Sequence, residues 1–316
     1  MNTLLNLSII IVNWNSRSQL AEVVTSIGQY HHDLVSSVII IDNASTDDSL
    51  DRVEALKALP LNLRIIRSSI NLGFGSACNI GAQKSDSEYM LFLNPDAALH
   101  ADTLPKALAY MQDTANAEVG ICGVQLLDEA GHVSRHCARF ATAAGLVVHA
   151  MGLDRFFPRL GHVMGEWDHA DNRRVDHVIG AFFLVRSSVF QLLQGFDERF
   201  FVYLEDLDFS YRARQAGWCS VYLADAQAFH AGGGTSNQVK GRRLFYSLRS
   251  RLLYSFKHFS WVGATGVLLA TLFIEPISRS TLALLHHSWS EFKETWSAYG
   301  LLWCWLPKWI FIRETQ

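Results

Sequence analysis

The chain opens with short apolar runs, each closed by a polar loop. Leu7–Val12 (LSIIIV) is too short for a helix and long enough for a strand buried on both faces. Ser18–Ile27 then places Leu20, Val23, Val24 and Ile27 on one helical face. Val38–Ile41 reads as a second buried strand, Leu63–Arg67 as a third and Met90–Leu93 as a fourth. Between the last two, Gly75–Gln83 reads as a helix opened by the loop Asn71-Leu72-Gly73-Phe74. This alternation predicts an α/β fold, a mostly parallel sheet with helices on both faces. Ligands of such sheets bind beyond the carboxyl ends of the strands, where the polar loops after the first, second and fourth strands fall.

The pattern then changes. Residues 124–175 are rich in His, Arg, Gly and Asp without sustained periodicity, which predicts long loops with short elements. Val178–Val185 is strand-like, Ser188–Gln194 a short helix, and Phe209–Ala216 a helix stopped at Gly217. Cys219–Leu223 is a strand, and His230 stands before Gly232-Gly233-Gly234. From about residue 236, Lys240, Arg242, Arg243, Arg249, Arg251 and Lys257 interleave with apolar residues as in a basic amphipathic helix. The uncharged run Trp261–Ile274 falls short of the roughly 20 residues that span a bilayer. Trp303, Trp305 and Trp309 flank Lys308 in the manner of a membrane-interface belt.

Composition sharpens this division. With 316 residues, 49% hydrophobic and 18% charged, the chain has material for one large α/β domain and an appendage. Residues 1–235 carry a net −9 and residues 236–316 a net +6, and six of the nine Trp lie in the latter. An acidic body with a basic, Trp-rich tail predicts a membrane-seeking segment lying in the plane of an anionic surface. The competing reading is a tail packed on the body by charge complementarity. Five cysteines without a CxxC pair argue against a disulfide framework or zinc ribbon, and the N-terminus lacks the basic start of a signal peptide. Both point to the cytoplasm. Nucleic-acid binding is not expected, because the basic residues cluster with apolar ones.

Five places carry candidate chemistry. Asn94-Pro95-Asp96 follows the fourth strand directly; a strand-end Asp suits a divalent cation bridging phosphates, and the same tripeptide also makes a good turn. Asp42 ends the second strand, where a carboxylate can accept from a ribose hydroxyl or a base N–H, or else cap a helix. Asn71 and Gly73 form a compact loop that lets a ligand approach the backbone. Glu205-Asp206 stands among Phe200, Phe201, Tyr203 and Phe209, a setting that raises proton affinity and suits a general base; it equally suits a helix N-terminus. His230 is a candidate metal ligand. No GxxxxGK[ST] and no GxGxxG after the first strand occurs, which excludes a P-loop and argues against a dinucleotide oxidoreductase. Adjacent carboxylates argue against a glycoside hydrolase, whose pair must flank the bond.

In this order the residues resemble the family 2 glycosyltransferases, most closely their bacterial rhamnosyltransferase-like branch. The matching stretches are Ser8–Asn15, Ile41–Asp47, Asn71–Gly75 with Asn79 and Gly81, Leu93–Asp96, Gly180-Ala181, Gly195–Phe201, Glu205–Asp208 with Arg212, and His230. The resemblance implies a glycosyltransferase A-type fold. A catalytic domain would occupy residues 1–235, with a nucleotide-sugar part at about 1–123 and an acceptor part at about 124–235. A helical segment, 236–316, would follow. It implies Asn13, Asp42, Asn71, Gly73, Asn94 and Asp96 as donor contacts, Asp96 and His230 as ligands of Mg2+ or Mn2+, and Asp206 as the base beside Glu205. Asn94 stands where a full DxD motif has its first Asp. The implied reaction is inverting transfer of a sugar, with dTDP-rhamnose as lead donor and a UDP-hexose as alternative. The acceptor would be a glycan or lipid-linked saccharide in cell-surface polysaccharide synthesis, at the cytoplasmic face of the bacterial inner membrane. A non-catalytic nucleotide-sugar-binding module is the remaining reading.

Overall fold

Strand β1 (Leu7–Asn13) is buried along its whole length at the centre of the parallel half of the sheet. The computed structural model describes residues 7–56, 58–232 and 240–312. In it β1 pairs in parallel with β2 (Val35–Asp42) and β4 (Tyr89–Leu93), and β2 pairs in parallel with β3 (Leu63–Arg67). Helices α1 (Gln19–Tyr30), α2 (Ser49–Glu54) and α3 (Phe74–Ala82) make the crossovers. Period-two alternation divides each strand between two cores: Ile9 and Ile11 face α1, while Ile10 joins Ile39, Phe92 and Phe196.

Beyond β4 the sheet becomes mixed. β5 (Ala97–Leu99), α4 (Thr103–Gln112), β6 (Val119–Leu127), α5 (Ala143–Ala150) and β7 (Arg173–Val175) lead to β8 (Phe182–Arg186). β8 starts later than the apolar run suggests, because Val178–Ala181 forms a turn at the carboxyl end of β4. Entering there, β8 must run back, antiparallel to both β4 and β6. α6 (Ser187–Leu192), α7 (Glu205–Gln215) and β9 (Cys219–His230) follow; β9 is parallel to β6 and antiparallel to β5 and β7.

The tail is helical: α8 (Lys240–His258), α9 (Trp261–Leu269), α10 (Glu275–Leu285) and α11 (Trp289–Pro307). Two expectations are corrected here. First, the apolar segment does not stop at Ile274. A π-helical turn at Ala270–Ile274 carries it on, giving a 25-residue helix, Trp261–Leu285, long and apolar enough by composition to cross a membrane. Glu275 does not end it because its carboxylate is buried against Arg251 and Arg279. Second, several basic residues expected to face a membrane point inward. Arg249 is buried over the rings of Phe201, Phe245 and Tyr246, Arg251 pairs with Glu275, and Lys257 reaches Asp197 and Asp208 at 2.6 Å each. Charge complementarity therefore joins α8 to the body. A third core completes the joint: Phe200 and Leu207 of the body pack with Leu248, Leu252, Tyr254 and Leu302 of the tail. Gly233, Gly234 and the Lys240 side chain lie outside the described residues.

Candidate active site

The site is built from strand-end loops. At the end of β1, the Asn13 amide donates to Asp42 Oδ1 (2.9 Å) and Ser49 Oγ (2.9 Å), so Asn13 and Asp42 form one buried polar network at the tips of adjacent strands. Asn43, not singled out from sequence, holds the next loop. Its Nδ2 donates to Asn71 Oδ1 (2.9 Å) and the Gly73 carbonyl (3.1 Å), and its Oδ1 accepts from Leu72 N–H (2.8 Å). Gly73 sits at φ +83°, and a Cβ there would run into the Phe201 carbonyl. That carbonyl accepts from Phe74 N–H at 2.7 Å and ties the loop to the segment before α7.

Asp96 and His230 are brought together by register. β5 places Ala97 opposite His230, so Asp96 meets the imidazole with Oδ1 3.3 Å from Nε2. The Asp96 carbonyl also accepts from Ala231 N–H. Both side chains are nearly buried, with about a tenth of each exposed. Among the described residues no group of three or more His, Cys, Asp or Glu converges. One carboxylate oxygen and one imidazole nitrogen fit a divalent cation that draws its other ligands from phosphate and water, as such cations do at diphosphates. Asn94 lies one turn away, its N–H donating to the Ala181 carbonyl at 3.0 Å.

The turn at Gly180-Ala181 thus joins two loops, because Gly180 N–H donates to Asp206 Oδ2 at 2.8 Å. Asp206 is the second residue of α7 and keeps a sixth of its side chain exposed. The two residues before α7, Tyr203 and Leu204, both adopt left-handed backbone (φ 70° and 67°), a cost of about 1–3 kcal/mol per residue that recurs at functional sites. This aims Asp206 toward the turn while its neighbour turns inward. Glu205 is buried, its Oε2 has no hydrogen-bond partner, and burial followed by repulsion from Asp206 pushes its carboxyl well above the usual range. This enclosure sets Glu205 apart from Asp206, which keeps part of its carboxylate open to solvent. His177, missed from sequence, is buried against the same carboxylate, with Nε2 3.7 Å from Asp206 Oδ2.

Asp208 plays a structural part. It is fully buried, accepts from Arg212 Nε at 2.8 Å, and is reached by His258 and Lys257 of α8. Burial pushes its carboxyl up, and these cations outweigh that and hold it below the usual range.

The model of glycosyl transferase family 2 matches residues 8–191. The N-acetylglucosaminyl-diphospho-decaprenol L-rhamnosyltransferase of Mycobacterium tuberculosis is 28% identical over 247 residues, 71% of this chain and 76% of that one. The mannosyltransferase PcManGT from Pyrobaculum calidifontis, solved with GDP-Man and Mn2+, superimposes with a TM-score of 0.56 at 16% identity. That likeness covers 98% of this chain and 88% of that one. Against S. aureus TarS the TM-score is 0.52 at 16% identity over 84% of this chain, which spans 43% of the TarS chain.

Proposed function

The chain belongs to glycosyl transferase family 2 and has the glycosyltransferase A-type fold, and from that premise we propose that it transfers a sugar with inversion from a nucleotide-diphosphate donor to a lipid-linked saccharide. The observation that carries this reading is one partly exposed carboxylate beside a sealed one. Asp206 is held by the same turn that fixes the Asn94–Asp96 loop, while its neighbour Glu205 is sealed off. One base facing one leaving-group site suits a single displacement. A retaining double displacement would need a second, nucleophilic carboxylate near the sugar.

In this reading the residues divide the work. The loop Asn71–Gly73, braced by Asn43, and the Asn13–Asp42 network cradle the nucleoside, with nucleotide contacts over residues 1–123 and acceptor contacts over 124–235. Asp206 takes the proton of the acceptor hydroxyl as that oxygen attacks the anomeric carbon. Asp96 and His230 would hold Mg2+ or Mn2+, which supplies charge stabilisation to the departing diphosphate. Orientation of donor and acceptor on rigid strand ends supplies much of the remaining acceleration. Rhamnose is the lead sugar, on the strength of the mycobacterial relative's name, which also points to a lipid-diphosphate acceptor, with dTDP-rhamnose as the donor that the branch resemblance implies.

A lipid acceptor fits the tail. Trp261, Val262, Phe273, Ile277 and Leu285 leave much of their surface exposed along the 25-residue helix. The loop after α5 adds exposed Phe156 and Phe157. It sits beside that helix: Ser278 Oγ donates to the Ala150 carbonyl, and Arg155 lines a cavity of about 290 Å3 with Arg279 and Leu282. We read this as an in-plane attachment to the cytoplasmic membrane face, because the other side of the helix is tied to α8 and α11. The test is incubation with dTDP-rhamnose, UDP-glucose or UDP-N-acetylglucosamine and a short-chain polyprenyl-diphospho-N-acetylglucosamine, with and without Mn2+. Transfer from one donor, with product anomeric configuration opposite to the donor's, supports the reading. Retention of configuration, or no transfer from any donor, overturns it.

A further inference from the structure

We propose that His177 is a second proton-holding residue, whose Nε2 receives the proton that the Asp206 carboxylate removes from the acceptor hydroxyl. This rests on the reading of Asp206 as the base. His177 lies between β7 and β8, fixed by paired backbone bonds with Ala138, N–H to carbonyl in both directions at 3.1 Å. Its ring is buried between Asp206 and Ser210.

The hydrogen-bond pattern assigns the ring's tautomer. Ser210 has one hydroxyl proton and donates it to the Asp206 carbonyl at 2.8 Å. Ser210 Oγ can therefore only accept from His177 Nδ1–H, 3.3 Å away. That leaves the Nε2 lone pair facing Asp206 Oδ2. Two electron-rich atoms stand 3.7 Å apart, wider than a hydrogen bond, and the missing element between them is a proton. Burial lowers the proton affinity of His177 and is opposed by Asp206 and Asp176, so the resting ring is neutral and available as an acceptor. The other ionisable groups near it, His136 and His162, are held neutral chiefly by burial, at about 3 and about 4.

The step balances. The acceptor oxygen bonds to the anomeric carbon, the bond from that carbon to the diphosphate oxygen breaks, and its electron pair leaves with the diphosphate. The hydroxyl proton passes to the Asp206 carboxylate, which then donates it to Nε2, closing the gap. The proton returns to solvent after the product leaves.

The test compares His177→Gln and His177→Phe with the wild type and with Asp206→Asn. Steady-state transfer is measured from pH 5 to 9 with dTDP-rhamnose and the same short-chain lipid acceptor. Gln keeps polar contact with Asp206 but cannot take a proton. The expected result is a kcat lower by roughly 10–100-fold in both variants, part of the contribution of a proton-transfer group. Both KM values should stay within about twofold, and the acid limb of the kcat profile of His177→Gln should move to lower pH. An unmoved acid limb, or a His177→Gln kcat within twofold of wild type, overturns the proposal. Loss in the Phe variant with full recovery in the Gln variant gives His177 a packing role only and also overturns it. Near-normal turnover of Asp206→Asn, in contrast, removes the base itself and with it the reading on which the pair rests.

Discussion

At the scale of single residues, two adjacent acids have opposite environments. Asp206→Asn should lower kcat by about 10²–10⁴-fold, the usual worth of a general base, with donor affinity changed less than about threefold. Single-turnover rates and isothermal titration separate the two effects. Glu205→Gln should keep kcat within about threefold, because the side chain is buried and its proton affinity is raised by burial and by Asp206; a hundredfold loss would make Glu205 the base. Asp96→Ala should lose most donor affinity in Mn2+, and chelator should leave wild type and variant alike. Equal wild-type binding with and without chelator would make Asp96 a turn residue. Sequence made Asp206 visible through its aromatic surroundings and Asp96 through its strand end. His177 and Asn43 were not visible. One is a single His in an irregular stretch, and the other resembles ordinary loop chemistry until its three bonds to the Asn71–Gly73 loop are seen.

At the scale of elements, β1 and β2 were legible as β-branched runs buried almost throughout and β4 as a fully buried apolar run, while β3 is a shorter, only partly buried run. β6 was not legible, since Gly120 and Gly123 interrupt its pattern; both are small because Trp218 and Val178 press on them. The tail misled for a different reason. A basic, apolar-interleaved helix looks the same whether its charges meet lipid or buried acids, and Asp197, Asp208 and Glu275 decide the matter from far along the chain. Asp208→Asn would leave Lys257, Arg212 and His258 facing a neutral group in a buried place, a loss of about 3–5 kcal/mol readable by urea unfolding. The sign with pH follows from the depressed carboxyl of Asp208. Its contribution is complete above about pH 4, where the unfolded carboxylate is ionised, and fades as pH falls through the lower folded value. The variant should therefore show a shallower acid decline than the wild type. Gly73→Ala combines a left-handed backbone with a clash against the Phe201 carbonyl, so it should cost stability and weaken donor binding together, while Gly131→Ala, with open space around it, should affect stability alone.

At the scale of the whole molecule, body and tail share an apolar core and are expected to unfold together. The third core contains Phe200 and Leu207 from one and Leu252 and Leu302 from the other, so truncation after residue 235 should yield an insoluble or unfolded body rather than a soluble enzyme. Circular dichroism of the truncated chain checks this. Full-length protein should sediment with anionic liposomes and come off in detergent. Raising salt should weaken the hold only modestly, because Arg249, Arg251 and Lys257 are engaged inside. Phe156→Ser with Phe157→Ser should reduce the bound fraction several-fold; full-length protein that ignores liposomes would leave the apolar face without a lipid role.

The pairing of β5 with β9 has a consequence in time. Among the described residues β5 has no other strand neighbour, so the edge that sets Asp96 beside His230 cannot form until the chain has been made through β9. A ribosome adding about 5–20 residues per second lays down Asp96 roughly 7–27 seconds before His230. During that interval the nascent chain carries Asp42 and the Asn71–Gly73 loop but not yet the Asp96–His230 pair. On the roles proposed above, an unfinished chain lacks both the base and the pair for the metal until synthesis has passed Asp206 and His230.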